Sequence, residues 1–277
     1  SERTGYGQYY LYDNTGKLLN KIGPKGNYVV SKIVELDTTK RELFLEVYGY
    51  SKGVNPYYKQ YLKAFLDNEK GILLTPEPSD NQIVFSTDKK YILNTYSTIN
   101  TPNTYAIRTV NGRLISTIGQ ANMEKLKATG WSAPEQIQLT AADDSTVLYG
   151  LLYKPSDFDP NKKYPIISSV YPGPQEDFVP QSFSIDDNQH QTFADLGFLI
   201  LQIPSRGSSP YRGLQFHSYS HGNMRDYPLA DNKKAIEDLA KNRSYIDLNK
   251  VGIFGHSGGG FMTATAMMSS PEFYKVG

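Results

Sequence analysis

Residues 250–261 read Lys250-Val251-Gly252-Ile253-Phe254-Gly255-His256-Ser257-Gly258-Gly259-Gly260-Phe261. A short apolar strand runs into a glycine-flanked turn with a serine at its apex, and a helix follows. Gly255 to Gly259 fill the pattern G-x-S-x-G. Such a nucleophile elbow puts its serine on a strained strand-to-helix turn, so that the hydroxyl stands clear of the sheet. A side chain two residues away on either side would collide with the turn, so glycine is wanted there. The helix that follows aims its free N–H groups and its positive dipole end at the reaction centre. The rival reading is an ordinary Gly-rich turn, and the strand–turn–helix context argues against it.

The chain upstream supplies the right scaffold. Pro134 to Thr140 and Val147 to Lys154 read as paired strands around an Asp143-Asp144 turn. Tyr164 to Tyr171 and Gly197 to Ile203 carry apolar residues at consecutive positions, as strands buried on both faces do. Gln191 to Leu196 reads as helical. Pro228 to Asn242 is the clearest helix. Proline suits its first turn, Leu229, Ile236, Leu239 and Ala240 form an apolar stripe, and Lys233, Lys234, Glu237, Asp238 and Lys241 face water. Ile246 to Asn249 reads as a turn into the elbow strand. Strands alternating with helices imply a largely parallel sheet.

The first half has a different rhythm. Gln8 to Leu19, Tyr58 to Leu74 and Asn103 to Ser116 are three hairpins with Asn/Asp/Gly turns,. Between them Leu36 to Leu45 resembles Ser86 to Leu93. Four short strands in a period of roughly 50 residues describe a β-propeller blade; a β-sandwich with chance similarity is the rival. About two and a half blades are present on this count, and a closed ring takes typically ~4–8. Residues 122–133 form a polar link with a short helical stretch, Met123 to Ala128.

The bulk numbers narrow the function. The chain has 277 residues, with 29 Lys plus Arg against 28 Asp plus Glu. That balance gives no support to nucleic acid or an anionic membrane as partner. With no cysteine, disulfides, thiolate metal sites and a cysteine nucleophile are excluded. No stretch approaches the ~18 uninterrupted apolar residues of a membrane-spanning helix. The 22 tyrosines gather in the strand-rich half, where they read as β-formers packing half-buried surfaces rather than as a binding face.

Four motifs in order carry a family resemblance. Ser1 to Tyr6 with Tyr10-Leu11-Tyr12, Lys163-Tyr164-Pro165 with Val170-Tyr171-Pro172-Gly173-Pro174, Ser205-Arg206-Gly207-Ser208, and Gly255 to Gly259 resemble the dipeptidyl peptidase IV branch of the prolyl oligopeptidase family of serine peptidases. The resemblance implies part of a β-propeller over residues 1–133 and part of an α/β-hydrolase domain over residues 134–277. It implies Ser257 as nucleophile, the Gly258 N–H and the Tyr171 hydroxyl as oxyanion hole, and Arg206 as a brace for its loop more than a contact to substrate. It implies a peptide substrate, a preference for proline, no metal or organic cofactor, a homodimer, and a periplasmic, envelope or secreted setting. One departure stands out: the branch usually has a tyrosine directly after the nucleophile, and here it is Gly258.

A hydrolase of this fold orders its triad as Ser, acid, His. Only 20 residues follow Ser257, with one acid, Glu272, and no histidine. His190, His217, His221 and His256 all precede the serine, and no Glu-Glu pair for anchoring a substrate amine occurs. The triad acid and histidine are therefore expected outside this chain, in the remainder of a larger polypeptide. The elbow strand is expected to end the sheet as a bare edge. The rival functions are another hydrolase, such as an acylaminoacyl peptidase or an esterase, and a catalytically inactive binding or scaffold protein.

Overall fold

The computed structural model describes residues 1–175, 177–185 and 189–277. The chain forms two compact units. The first gathers Ser1–Asn122 with Gln181–Phe183 and Tyr211–Gln215; the second holds Met123–Pro180, Ser184–Pro210 and Phe216–Gly277.

The first unit opens on a hairpin of β1 (Tyr10–Tyr12) and β2 (Leu18–Lys21). Its turn is built by Asp13, whose Oδ1 accepts from the backbone N–H groups of Thr15 and Lys17, both at 2.9 Å,. Next comes an antiparallel sheet in the order β3 (Val29–Asp37), β4 (Glu42–Tyr48), β5 (Lys59–Phe65), β6 (Gly71–Leu73). A second sheet repeats it: β7 (Asp80–Phe85), β8 (Tyr91–Thr98), β9 (Thr101–Thr109), β10 (Leu114–Gln120), again in chain order. Two four-stranded meanders and a hairpin are two and a half propeller blades.

The packing explains the strand sequences. Successive side chains on a strand alternate faces, and β4 is buried on both. Leu43, Leu45 and Val47, with Leu62 and Ala64 of β5, form one core with Ile22, Tyr28 and Val30. Phe44 and Tyr61 face the other way, into a core with Leu74 and Ile92 that Ile83 and Phe85 flank. The middle sheet thus serves two cores, which is how stacked blades bury themselves. Tyr28, Tyr48, Tyr57, Tyr58 and Tyr61 are all buried, so much of the tyrosine content goes into packing.

The second unit starts with a one-turn helix, α1 (Glu124–Lys127), and is built on a six-stranded sheet. Its strands are β11 (Glu135–Thr140), β12 (Val147–Tyr153), β13 (Tyr164–Ser169), β14 (Leu199–Gln202), β15 (Ile246–Phe254) and β16 (Tyr274–Val276). The spatial order is β11-β12-β14-β13-β15-β16. β14, β13, β15 and β16 run parallel, and β12 joins them antiparallel through β14. The helices are α2 (His190–Asp195), α3 (Leu214–His217), α4 (Asp226–Asn242) and α5 (Gly258–Ser269). Leu199, Leu201, Val251 and Ile253 of the sheet meet Leu229, Ile236 and Leu239 of α4 and Met262 and Ala266 of α5 in one core. This is the α/β-hydrolase scaffold, with the Gly255–Gly259 turn at the carboxyl end of β15.

Two expectations are corrected. The elbow strand is not a bare edge: β16 pairs with it in parallel, Val251 opposite Tyr274 and Gly252 opposite Val276. Tyr274 is wholly buried, and its hydroxyl donates to Asn232 Oδ1 at 3.0 Å, which ties this three-residue strand to α4. Ile246 to Asn249 does not form a separate turn either. These residues belong to β15, where the register against β13 jumps between Pro165 and Ile166. A bulge absorbs the polar residues that read as a turn.

The Tyr274 anchor is testable. Tyr274→Phe strips a buried acceptor of its partner and is expected to cost about 1–3 kcal/mol in urea unfolding of the chain. A change within error of zero would show that β16 does not depend on that bond.

Candidate active site

Ser257 has φ +54° and ψ −115°, a conformation that costs a non-glycine residue of order 1–3 kcal/mol. Serine before a helix ordinarily caps it with its hydroxyl. Here Ser257 makes no side-chain cap bond to α5, and the residue is exposed. The two flanking glycines show what shapes the turn. A Cβ on Gly255 would fall 2.4 Å from the Val170 carbonyl oxygen, and one on Gly259 would fall 2.1 Å from the same atom. No side chain fits at either position without moving backbone.

Val170 is held there by the sheet. Its N–H donates to the Phe254 carbonyl at 2.9 Å, continuing the β13–β15 ladder past Ser169 and Phe254. Tyr171 follows, so it leaves the neighbouring strand beside the elbow, its Cα 3.7 Å from where a Gly259 Cβ would lie. The Tyr171 hydroxyl accepts a hydrogen bond from Gln175 Nε2, which leaves its own O–H to donate. Gly258 is the first residue of α5, where a backbone N–H has no partner within the helix.

Arg206 lies on the loop after β14 and is 5 % exposed. Its Nε sits 3.2 Å and 3.1 Å from the two carboxylate oxygens of Asp231, and one terminal nitrogen lies 2.7 Å from Oδ1. The other terminal nitrogen pairs with Asp143 at 2.9 Å. The guanidinium also lies over the Tyr219 ring, 3.8 Å from its centroid. Asp231 further accepts from the backbone N–H groups of Arg206 and Ala142. One buried carboxylate on α4 thereby ties the Arg206 loop to the β11–β12 turn. Burial raises the Asp143 carboxyl, but bonds from the Thr146 hydroxyl and from the Thr146 and Ser145 N–H groups, with the nearby Arg206 charge, outweigh it. They hold that carboxyl well below the usual range.

Comparison with known proteins agrees with this architecture in both units. Residues 183–277 match the prolyl oligopeptidase family, and residues 1–103 match the dipeptidyl peptidase IV N-terminal region. These two matches, one in each unit, make the chain similar to the dipeptidyl peptidase IV branch of the prolyl oligopeptidase family. Dipeptidyl peptidase 8 of Homo sapiens is 35 % identical over 144 residues, covering 52 % of this chain and 16 % of that protein. Dipeptidyl peptidase 4 of Trichophyton equinum is 26 % identical over 291 residues, covering 100 % of this chain and 36 % of that one. The crystal structure of Porphyromonas gingivalis dipeptidyl peptidase 4 superposes with a TM-score of 0.81 at 23 % identity, over 99 % of this chain and 38 % of the other. The chain thus spans between about a sixth and two fifths of the length of these relatives.

The four histidines lie as follows. His256 and His221 are exposed. His217 closes α3 and meets the Pro174 carbonyl through Nε2 at 2.8 Å. His190 is buried, with Nε2 2.9 Å from Ser169 Oγ. Among the described residues none of the four bonds to the Ser257 hydroxyl. The sequence reading missed two partners: the His190–Ser169 contact, and Asp231 as the partner of Arg206. The signal for Asp231 was available, since it stands one turn before Ala235 on the buried side of α4.

Two outcomes follow from these contacts. Gly255→Ala or Gly259→Ala is expected to lose at least about 2–3 kcal/mol in chemical unfolding, by overpacking against Val170. Gly260→Ala, whose Cβ would meet only the Gly255 oxygen at 3.4 Å, is expected to be neutral or stabilising. Equal losses at all three positions would refute the crowding account. The second outcome concerns acid. The native Asp143 carboxyl is more acidic than the unfolded one, so the unfolded chain takes up its proton first as pH falls. The stabilisation is complete above about pH 4 and is lost as pH drops towards the native value. Asp143→Asn is therefore expected to flatten the fall of Tm between about pH 5 and pH 2.5; a parallel fall in both proteins would contradict it.

Proposed function

We propose that this chain carries the nucleophile-bearing part of a serine peptidase that cleaves peptides through an acyl-enzyme, in the manner of a dipeptidyl peptidase. The observation that carries the reading is the strained, exposed Ser257 between two glycines that admit no Cβ, at the start of α5. In the proposed reaction Ser257 Oγ attacks the scissile carbonyl carbon and gives its proton to a general base. The carbonyl oxygen becomes an oxyanion that accepts from the Gly258 N–H and the Tyr171 hydroxyl. Collapse expels the amine, which takes the proton, and water then hydrolyses the ester by the same route. Arg206 is a positioning residue, holding its loop through Asp231. The base and its carboxylate partner are assigned to polypeptide beyond these 277 residues. On this reading residues 1–133 are the propeller portion and 134–277 the hydrolase portion. The substrate is a peptide, with proline favoured before the scissile bond.

The test uses the full-length protein that contains this chain, with Gly-Pro and Ala-Pro chromogenic substrates. Ser257→Ala is expected to abolish turnover of both. Tyr171→Phe is expected to lower kcat by about 10²–10³-fold, as loss of one oxyanion donor does, with a smaller effect on KM. Turnover that survives Ser257→Ala rejects the nucleophile; an unchanged kcat in Tyr171→Phe rejects the second donor.

A further inference from the structure

The residues after Tyr171 close around its side chain, and Gly173 shows how tightly. A Cβ there would fall 2.4 Å from Tyr171 Cε1, 2.8 Å from Gln175 Oε1 and 2.9 Å from Gln175 Nε2. Gly173 has no positive φ, so space, not backbone conformation, calls for glycine. The space is taken by the Gln175 amide, whose Nε2 donates to the Tyr171 hydroxyl oxygen. The chain is tethered on either side of Gln175. The Pro174 carbonyl meets His217 Nε2 at 2.8 Å; a carbonyl only accepts, so that nitrogen carries the hydrogen. The Phe178 carbonyl accepts from Nε2 of Gln202, a buried residue of β14, at 3.1 Å. The Phe178 ring lies 6.0 Å from the Tyr171 ring, centroid to centroid.

We infer that Gln175 is a positioning residue for the proposed acyl transfer: its amide N–H sets the Tyr171 hydroxyl as a donor towards the oxyanion. A phenol hydroxyl has one hydrogen and gives it to whichever acceptor is in reach. A side-chain carbonyl facing the phenol would take that hydrogen and leave the oxyanion without it. An N–H does the opposite. It occupies a lone pair of the phenol oxygen and leaves the O–H free to turn to a new acceptor. It also polarises that O–H, since hydrogen bonds in a chain strengthen one another. A donor set in place before the oxyanion forms needs no reorganisation when it does. In this role Gln175 acts through Tyr171 alone, and the role rests on the proposed assignment of Tyr171 to the oxyanion hole.

The experiment measures kcat and KM for a Gly-Pro chromogenic substrate on the full-length protein containing this chain. Gln175→Ala and Gln175→Glu are each made alone and together with Tyr171→Phe. Gln175 is exposed, and circular dichroism checks the fold of each variant. Alanine is expected to lower kcat by about threefold to tenfold, the worth of one neutral hydrogen bond, with KM little changed. Glutamate has the same shape but only accepts when ionised. It is expected to lower kcat further, by about tenfold or more, since a bond to a charged group is roughly twice as strong. With Tyr171→Phe in place neither substitution is expected to change kcat by more than about twofold, because the two residues act as a unit. A residue that merely packs its loop would give the reverse order, glutamate milder than alanine, and would add its loss to that of Tyr171→Phe. That order, that additivity, or an unchanged kcat in both single variants overturns the inference while leaving Tyr171 in place. The cycle with Tyr171→Phe decides on whichever variant is folded. An unchanged kcat in Tyr171→Phe, turnover that persists in Ser257→Ala, or a parent that cleaves neither Gly-Pro nor Ala-Pro substrates overturns the underlying site assignment and the Gln175 role with it.

Discussion

The carbonyl of Val170 lies so close to Gly255 and Gly259 that neither can carry a Cβ, and the geometry of the site depends on that approach. It fixes the end of β13 against both sides of the turn. Without it the chain leaving β15 would have no reason to bend where it does, and Tyr171 would have no fixed relation to the elbow. The Val170–Phe254 hydrogen bond extends the parallel ladder to the last residue before the turn. Two strand ends and a helix start are thereby locked into one small volume. Backbone carbonyls and glycines do most of this work, and side chains do little.

A second constraint acts further from the nucleophile. Arg206 has one carboxylate, Asp231, that is fully buried, and another, Asp143, that is partly exposed. Such a cluster is weak support for net stability, because desolvating the charges offsets much of their attraction. Its value lies in position. Breaking one partner would leave a buried charge unpaired, a loss of about 3–5 kcal/mol, so the loop has a single low-energy place to be. The Tyr219 ring closes over the guanidinium and leaves it little to offer a substrate.

The sequence made much of this readable. Alternation and hairpin turns gave the blade strands because a half-buried strand writes its burial in period two, as β7 and β9 do. The G-x-S-x-G turn was readable because its glycines are steric demands that few other arrangements make. Other features left weaker traces. β16 is three residues long, below the length at which any periodicity can show, and Val276 is exposed. Residues Leu248 to Lys250 drop out of the register against β13 and are exposed, and an exposed run with Asp247 and Asn249 reads as a turn. Asp231 shares its helix with Lys233, Lys234, Glu237 and Asp238, and its residue type alone does not set it apart from them. A buried acid is distinguished from a surface one by its partner, and Arg206 is 25 residues away in sequence.

The strain at Ser257 raises the question of what sustains it. A backbone conformation costing of order 1–3 kcal/mol persists only when its surroundings over-determine it. On one side Val251 and Ile253 of β15 are buried to within 1 % of full enclosure; on the other Met262 and Ala266 of α5 are wholly buried. Fully burying an aliphatic side chain of this size contributes roughly 1.5–3 kcal/mol, so either flank outweighs the strain. Relaxing the turn would rotate α5 relative to β15 and withdraw these residues from the shared core. The serine is thus held by elements that gain nothing from its conformation themselves.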